Sequence, residues 1–435
     1  MSTSPADSVA DTDAGYARLL ATRRFGPLFG TQFLGAFNDN LLKQALVTLV
    51  TFRLVGSDAS MINNLAAALF ILPFFLFSPL AGQLSDHFPK HRVARLVKVA
   101  EVAIMIVAGI GFWLSSVPLL LTALALMGLH SAFFGPVKFG VLPELVPARE
   151  LSTANALMAA GTFLAILLGN VGGVYVVTYA GHPWEPALWM GLVALLGLAC
   201  AWNIPRLPAA APDRRLEFHP WRELRSSLAF VRGNREALAA VIGIAWFWLV
   251  GAAYLTQLPV LARDIAHGDA GHYVQMLLAF SVGIGLGALL CGRLSRGTVR
   301  PRLAIAGLLL LALFAAEIVR LCVAGSPDFV WLIGILTCIG IAAGLYIVPL
   351  YTVLQLRSPV DSRARTFAAV NLLNALAMVL SSVLAVVVLV VLRGELAILY
   401  AVLLAGTLAV AGLLWRLLPR GPENQDDSAN IRLGQ

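Results

Sequence analysis

Charge is what this sequence has least of. Only 12% of its 435 residues are Asp, Glu, Lys or Arg, while 59% are hydrophobic, and the mean hydropathy is +0.83. Soluble domains carry about 25% charged residues. Half that share leaves too little polar surface to coat a water-soluble globule of this size, so the class is integral membrane protein. Cysteine is also scarce. Cys200, Cys291, Cys322 and Cys338 all sit in apolar runs, which excludes a disulfide framework and a zinc site and reads as small buried hydrophobes. No Gly-rich loop ends in Lys-Ser/Thr, which excludes a phosphate-binding ATP motor. None of the seven His is followed five positions later by Asp, so the H-x-x-x-x-D pattern of acyltransferases is missing. With no catalytic set and no metal or cofactor motif, the expectation is a protein that is not an enzyme and needs no cofactor.

Long apolar runs are what the sequence does have. Continuous runs of about 20 apolar residues mean transmembrane helices, whereas a barrel would show short alternating segments. Twelve spans are expected, at 25–54, 61–85, 93–116, 117–141, 152–180, 187–206, 236–262, 272–294, 302–324, 328–356, 366–391 and 395–417. The polar start MSTSPADSVADTDAG reads as a disordered tail, not as a cleavable signal, because no basic cluster precedes a short apolar core. The expected organisation is an N-terminal tail at 1–24, a six-helix bundle at 25–206, a linker at 207–235, a second six-helix bundle at 236–417 and a tail at 418–435.

The net charge of +8 is informative through its placement. With the N-terminus inside, most of the 31 basic residues fall on inside ends and loops, from Arg18, Arg23 and Arg24 through Lys90, Arg92 and Arg95 to Arg416 and Arg420. Such loop asymmetry places both termini in the cytoplasm. The basic residues are scattered over separate loops and meet anionic membrane lipid; a nucleic-acid partner is not expected. Within the linker, PWRELRSSLAFVRGNRE puts Trp221, Leu224, Leu228 and Val231 at helical spacing beside Arg222, Arg225 and Arg232. That pattern predicts an amphipathic helix lying on the inner leaflet.

The chain repeats. GQLSDHFPKHR starts at Gly82, and GRLSRGTVRPR starts at Gly292, 210 residues on. Gly82/Gly292, Leu84/Leu294, Ser85/Ser295, Lys90/Arg300 and Arg92/Arg302 coincide under that shift. Parallel six-helix repeats of this kind resemble the major facilitator architecture, in which substrate binds near the midplane. GQLSDHFPKHR is also similar to that superfamily's signature loop. The similarity implies a cytoplasmic gate made of Gly82, Asp86, Lys90 and Arg92, with Arg363 and Arg365 at the start of the eleventh span within reach of Asp86.

Polar residues inside the spans point to a substrate site. Asn38, Asp39, Asn40, Lys43 and Gln44 lie 14–20 residues from the inner end of the first span, roughly 20–30 Å along a helix rising 1.5 Å per residue. A charge at that depth costs about 2.5–3.5 kcal/mol on insertion scales, and five polar residues within a turn and a half exceed a structural pin. Asp39 and Lys43 are four apart and can neutralise each other. His130 in the fourth span and Asn371 and Asn374 in the eleventh are further candidates for a central cavity. Lys98 and Glu101, three apart in the third span, read as a structural pair near the inner interface.

The repeat breaks its symmetry at this point. Shifted by 210, Asp39 lands on Leu249, inside WFWLVGAAYLTQLP. The first half thus has a charged centre where the second is apolar and aromatic. An amphiphile suits such a pair: its headgroup against Asn38, Asp39, Asn40 and Lys43, its chain against Trp246 and Trp248. A buried polar group without partners is costly, so a small polar solute gains little from the second wall.

Three stretches together resemble one group. TQFLGAFNDNLLKQAL, SAFFGPVKFGVLPELV with ELSTANALMAAGTFLAILLGN, and LYIVPLYTVLQLRSP with RARTFAAVNLLNALAMVLSS are similar to the bacterial lysophospholipid transporter family of the major facilitator superfamily. The resemblance implies an all-α protein of twelve spans in two pseudo-symmetric halves in the bacterial inner membrane. It also implies movement of lysophosphatidylethanolamine-type lipids to the cytoplasmic leaflet by alternating access, and their re-acylation there. Only about 18 residues follow the last span, so the acyltransferase/acyl-carrier-protein synthetase is expected as a separate cytoplasmic partner. The competing expectation is a proton-coupled exporter of small hydrophobic drugs or metabolites, and a third is a non-transporting scaffold for lipid enzymes.

Overall fold

In lipid a backbone can satisfy its own hydrogen bonds only as a helix or a closed barrel, and this chain is helical. The computed structural model describes residues 15–52, 59–214, 216, 220–268, 270–295, 298–325, 328–392 and 394–419. Of the expected tails at 1–24 and 418–435, residues 1–14 and 420–435 lie outside the described residues. In chain order the helices are α1 (Gly26–Phe52), α2 (Ala59–His87), α3 (Lys90–Trp113), α4 (Val117–Leu145), α5 (Ala148–Thr178), α6 (Glu185–Trp202) and α7 (Pro220–Gly233). They continue with α8 (Arg235–Val260), α9 (Ala270–Ser295), α10 (Arg302–Ala324), α11 (Phe329–Arg357), α12 (Arg363–Val386) and α13 (Leu396–Leu417). Single π-helical turns at Leu261–Ile265 and Val387–Val391 extend α8 and α12.

Each of the twelve expected spans coincides with one helix. Among the described residues ten helices are long and apolar enough to cross a membrane. The two that fall short are α1 and α3, which carry Asp39, Lys43, Lys98 and Glu101. The linker helix α7 forms where expected. Its Val231 is buried and its Arg225 and Arg232 are exposed, while the side chains of Trp221, Arg222 and Leu224 lie outside the described set.

The chain divides into two compact units. Unit 1 comprises Met1–Val146, Leu164–Leu228 and Pro359–Leu372; unit 2 comprises Pro147–Phe163, Ala229–Ser358 and Leu373–Gln435. The division departs from the sequence boundaries at two places, because α5 begins in unit 2 and α12 begins in unit 1. Hydrogen bonds account for both. In unit 1 the Asp86 carboxylate at the end of α2 accepts from the N–H groups of Ala364 and Arg365, at 3.1 and 3.2 Å. In unit 2 the buried Asn155 of α5 donates to Thr352 Oγ1 at 3.0 Å and to Gln355 Oε1 at 2.5 Å on α11.

Unit 1 has its core where α1 to α6 meet. Leu42, Leu46, Met105, Leu120, Met127 and Met190 are all buried there. Unit 2 is built on the packing of α9, α10 and α8 against α11, a helix whose 29 residues are largely buried. Tyr346 of α11 donates its hydroxyl to the Gly243 carbonyl of α8.

Candidate functional site

Two regions hold the residues singled out above, and each lies within one unit. The first is the polar turn of α1. Asp39, Asn40, Lys43 and Gln44 are half-buried, while Asn38 is wholly buried. Residues three and four apart share a helix face, so Asn40, Lys43 and Gln44 form one edge, against which α5 packs closely through Gly169 and Gly173, and Asn38 is buried on another side. The expected Asp39–Lys43 pair is not what forms. Lys43 Nζ donates to Asn40 Oδ1 at 3.1 Å, and Asp39 Oδ2 accepts from Ser131 Oγ of α4 at 2.6 Å. A neutral acceptor sits one turn back from Lys43, and a hydroxyl from another helix takes the carboxylate. The second oxygen of Asp39 is buried and unbonded.

Asn38 and His130 join a buried cluster and do not edge open space. Asn38 Nδ2 donates to Glu101 Oε1 at 2.9 Å. Lys98 Nζ donates to Glu101 Oε2 at 2.5 Å, and His130 Nε2 lies 3.1 Å from the same oxygen. Lys98 and Glu101 are completely buried. Eight and eleven residues into α3, they lie roughly 12 and 17 Å along it, deeper than the inner interface where the sequence placed them. Removing one partner of such a buried pair costs about 3–5 kcal/mol.

The remaining polar candidates separate. Asn371, at the foot of α12 in unit 1, lies against Gly135 of α4 with its amide nitrogen unbonded. Asn374, three residues on, is buried and belongs to unit 2. Sequence reasoning missed Ser131 and Asn170, whose buried Oδ1 is unbonded in α5. Adjacency to His130 was the one available signal for Ser131.

The second region is an apolar cavity in unit 2, about 600 Å³ when the open space at its mouth is included. Trp246, Phe247, Trp248, Gly251 and Tyr254 of α8 line it with Phe163, Phe280, Ile284, Ile339, Ala343, Tyr346 and Met378. No charged side chain lines it among the described residues. Trp246 Nε1 donates to Thr407 Oγ1 at 3.2 Å and Trp248 Nε1 to the Tyr351 hydroxyl at 3.3 Å. Both indoles therefore satisfy their polar edge elsewhere and leave their apolar faces to the cavity. Nothing lies within 4 Å of where a Cβ on Gly251 would sit.

The expected gate residues divide as well. Asp86 is buried, and beside the two backbone donors of α12 it accepts from Arg365 Nε at 3.1 Å. A carboxylate there satisfies orphan N–H groups at a helix start and faces the positive end of its dipole. Gly82 makes the contact possible, since a Cβ would stand 2.7 Å from Ala368 Cβ and 2.8 Å from Arg365 Cα. Arg363 is buried alongside. Lys90 instead bonds Glu144 Oε1 of α4 at 2.7 Å, and Arg92 is exposed. The linker lies over this loop: Ala211 N–H donates to the Asp86 carbonyl at 2.8 Å, and His87 Nδ1 is 3.0 Å from the Arg214 carbonyl. Leu207 N–H donates to His91 Nδ1 at 3.1 Å. Burial and the nearby charge of Arg95 hold the His91 imidazole below the usual histidine pKa.

Comparison with known proteins agrees with this architecture. The Major Facilitator Superfamily model matches residues 28–382 and again 275–431. A lysophospholipid transporter, LplT, of Klebsiella pneumoniae subsp. pneumoniae is 31% identical over 340 residues, covering 75% of this chain and 78% of its own length. The Photorhabdus laumondii protein of the same name is 30% identical over 346 residues, covering 77% and 81%. The crystal structure of the human organic anion transporter MFSD10 superposes with a TM-score of 0.72 at 18% identity, covering 90% of this chain and 99% of that one; it speaks to the fold alone.

Proposed function

The chain belongs to the lysophospholipid transporter family of the major facilitator superfamily, a family of multi-pass membrane transporters and not of enzymes, and from that premise we propose how this protein handles its lipid. It moves lysophospholipid of the phosphoethanolamine type across the bacterial inner membrane to the cytoplasmic leaflet, by alternating access of two six-helix halves with both termini in the cytoplasm. A separate cytoplasmic acyltransferase then restores the second chain.

One observation carries this reading: a charged polar turn in unit 1 and an uncharged aromatic cavity in unit 2. Asp39 offers an anion to the headgroup ammonium, and Lys43 offers a cation to its phosphate. The aromatic cavity of unit 2 takes the single acyl chain. Each methylene buried from water is worth about 0.8 kcal/mol, but this chain comes from lipid, so the cavity lowers the barrier to crossing more than it raises affinity. Asp86 and Arg365 latch the cytoplasmic side during the cycle.

Uptake of labelled lysophosphatidylethanolamine into spheroplasts lacking their own route tests the reading. Uptake that appears with this protein and is absent without it supports transport. No uptake, together with raised resistance to toxic hydrophobic compounds, would replace it with an exporter.

A further inference from the structure

Glu101 is a completely buried carboxylate to which the transport reading gives no task. A lone charge in such a place is costly, and this one sits where three helices converge. Lys98 of its own helix, Asn38 of α1 and His130 of α4 all approach it within 3.1 Å. The surroundings are shaped for the pair. The Lys98 ammonium lies 5.6 Å from the centre of the Phe134 ring, and a Cβ on Gly35 would stand 2.6 Å from its Nζ. Any larger residue at position 35 would displace it.

The partners of Glu101 are immediate neighbours of the residues that hold the proposed headgroup site. Asn38 precedes Asp39 on α1, and His130 precedes Ser131 on α4. Consecutive side chains leave a helix about 100° apart. Each helix therefore turns one residue to Glu101 and the next toward the other helix, where Ser131 Oγ donates to Asp39 Oδ2 at 2.6 Å. A rotation of either helix that broke the inner contacts would also break the outer one.

We infer that Glu101 is a positioning residue for Asp39: by holding Asn38 and His130 it sets the rotation of α1 and α4 at which Ser131 orients the Asp39 carboxylate, and so it governs selection of lysophospholipids whose headgroup bears an ammonium. This rests on the reading of Asp39 as the headgroup anion. Lys98 compensates the charge of Glu101 within its own helix.

The test is uptake of lysophosphatidylethanolamine and of lysophosphatidylglycerol, which has no ammonium, by the full-length protein and its variants. Glu101→Gln keeps the side chain's shape and should raise the half-saturating concentration of the ethanolamine lipid about tenfold, the scale of one weakened charged hydrogen bond. Its maximal rate, and uptake of the glycerol lipid, should change little. Asp39→Asn should show the same selectivity more strongly, and Asp39→Asn/Glu101→Gln should be no worse than Asp39→Asn alone. If Glu101→Gln inserts poorly with Lys98 left unpaired, Lys98→Met/Glu101→Gln removes both charges and carries the same expectation. Equal loss of both lipids in a well-inserted variant, or a double variant worse by the product of the two singles, overturns the inference and leaves the Asp39 reading standing. Loss of selectivity by neither Asp39→Asn nor Glu101→Gln overturns both.

Discussion

Asp39 in α1 and Leu249 in α8 occupy the same place in a chain that repeats after 210 residues, yet their surroundings have diverged completely. Around Asp39 stand a hydroxyl, amides and ammonium groups on three helices. On either side of Leu249 in the chain, Trp246, Phe247, Trp248 and Gly251 line an apolar cavity together with Phe163 and Phe280. Duplicated helices preserve a packing scheme without preserving a chemistry. The difference is what a two-ended ligand requires: one unit can fix a polar group in direction and charge, while the other offers bulk without direction.

The comparison can be broken most severely at its charged end. Asp39→Ala should cut uptake at least about 30-fold, since truncating one member of a desolvated charge pair, here Asp39 with the headgroup ammonium, costs about 2–5 kcal/mol, while insertion in the membrane is retained. Normal uptake by a well-expressed Asp39→Asn variant would remove charge from the account. Next in size is a charge added to the uncharged end. Gly251→Asp places a carboxylate in open apolar space, at a cost of about 2.5–3.5 kcal/mol. Uptake should fall strongly while binding of chain-free glycerophosphoethanolamine stays nearly intact. Equal loss of both would end the division of labour.

The two helix feet sharpen the contrast further, because unit 1 holds its foot with a carboxylate and unit 2 with amides. Asp86→Ala should raise labelling of cytoplasmic-side cysteines about tenfold or more, from the loss of charged hydrogen bonds worth about 1.5–3 kcal/mol. Asn155→Ala breaks neutral bonds worth about 1 kcal/mol and should raise it only severalfold. Equal effects would mean that charge does not set the latch. The smallest effect expected is on pH. His91 accepts the Leu207 N–H and its folded pKa is depressed, so the linker seat is fully present above the ordinary histidine pKa of about 6.5. It weakens as pH falls below that value. Proteolysis near 207–214 should rise on mild acidification, and His91→Gln should flatten that dependence.

Much of this was legible in the sequence. Runs of twenty apolar residues have only one solution in lipid, so every expected span has its helix. The ends are where reading faltered. The third span looked as though it began after KHR, but the helix starts directly after Pro89, which has no N–H to place in it. The foot of α12 starts at Arg363 because a carboxylate from α2 satisfies its first donors, a partner 278 residues away from Ala364. Asp39 was legible because charge in a span is rare. Ser131 was not, since hydroxyls are common there. Lys98 and Glu101 were visible as a pair, but the partners that make them a cluster come from two other helices. Trp246 and Trp248 announced an apolar wall, while the contribution of Phe163 escaped notice because α5 begins in unit 2.

The two helices that carry the charged residues of unit 1 also depend on their neighbours. Neither α1 nor α3 is among the ten helices that are long and apolar enough by composition to cross a membrane. Glu101 has Lys98 within its own helix, but its other two partners arrive from α1 and α4. The polar contacts of Glu101 are therefore complete only when α1, α3 and α4 stand together, so these helices of unit 1 depend on one another. A change to any one of these helices is thus felt at the polar turn through the other two.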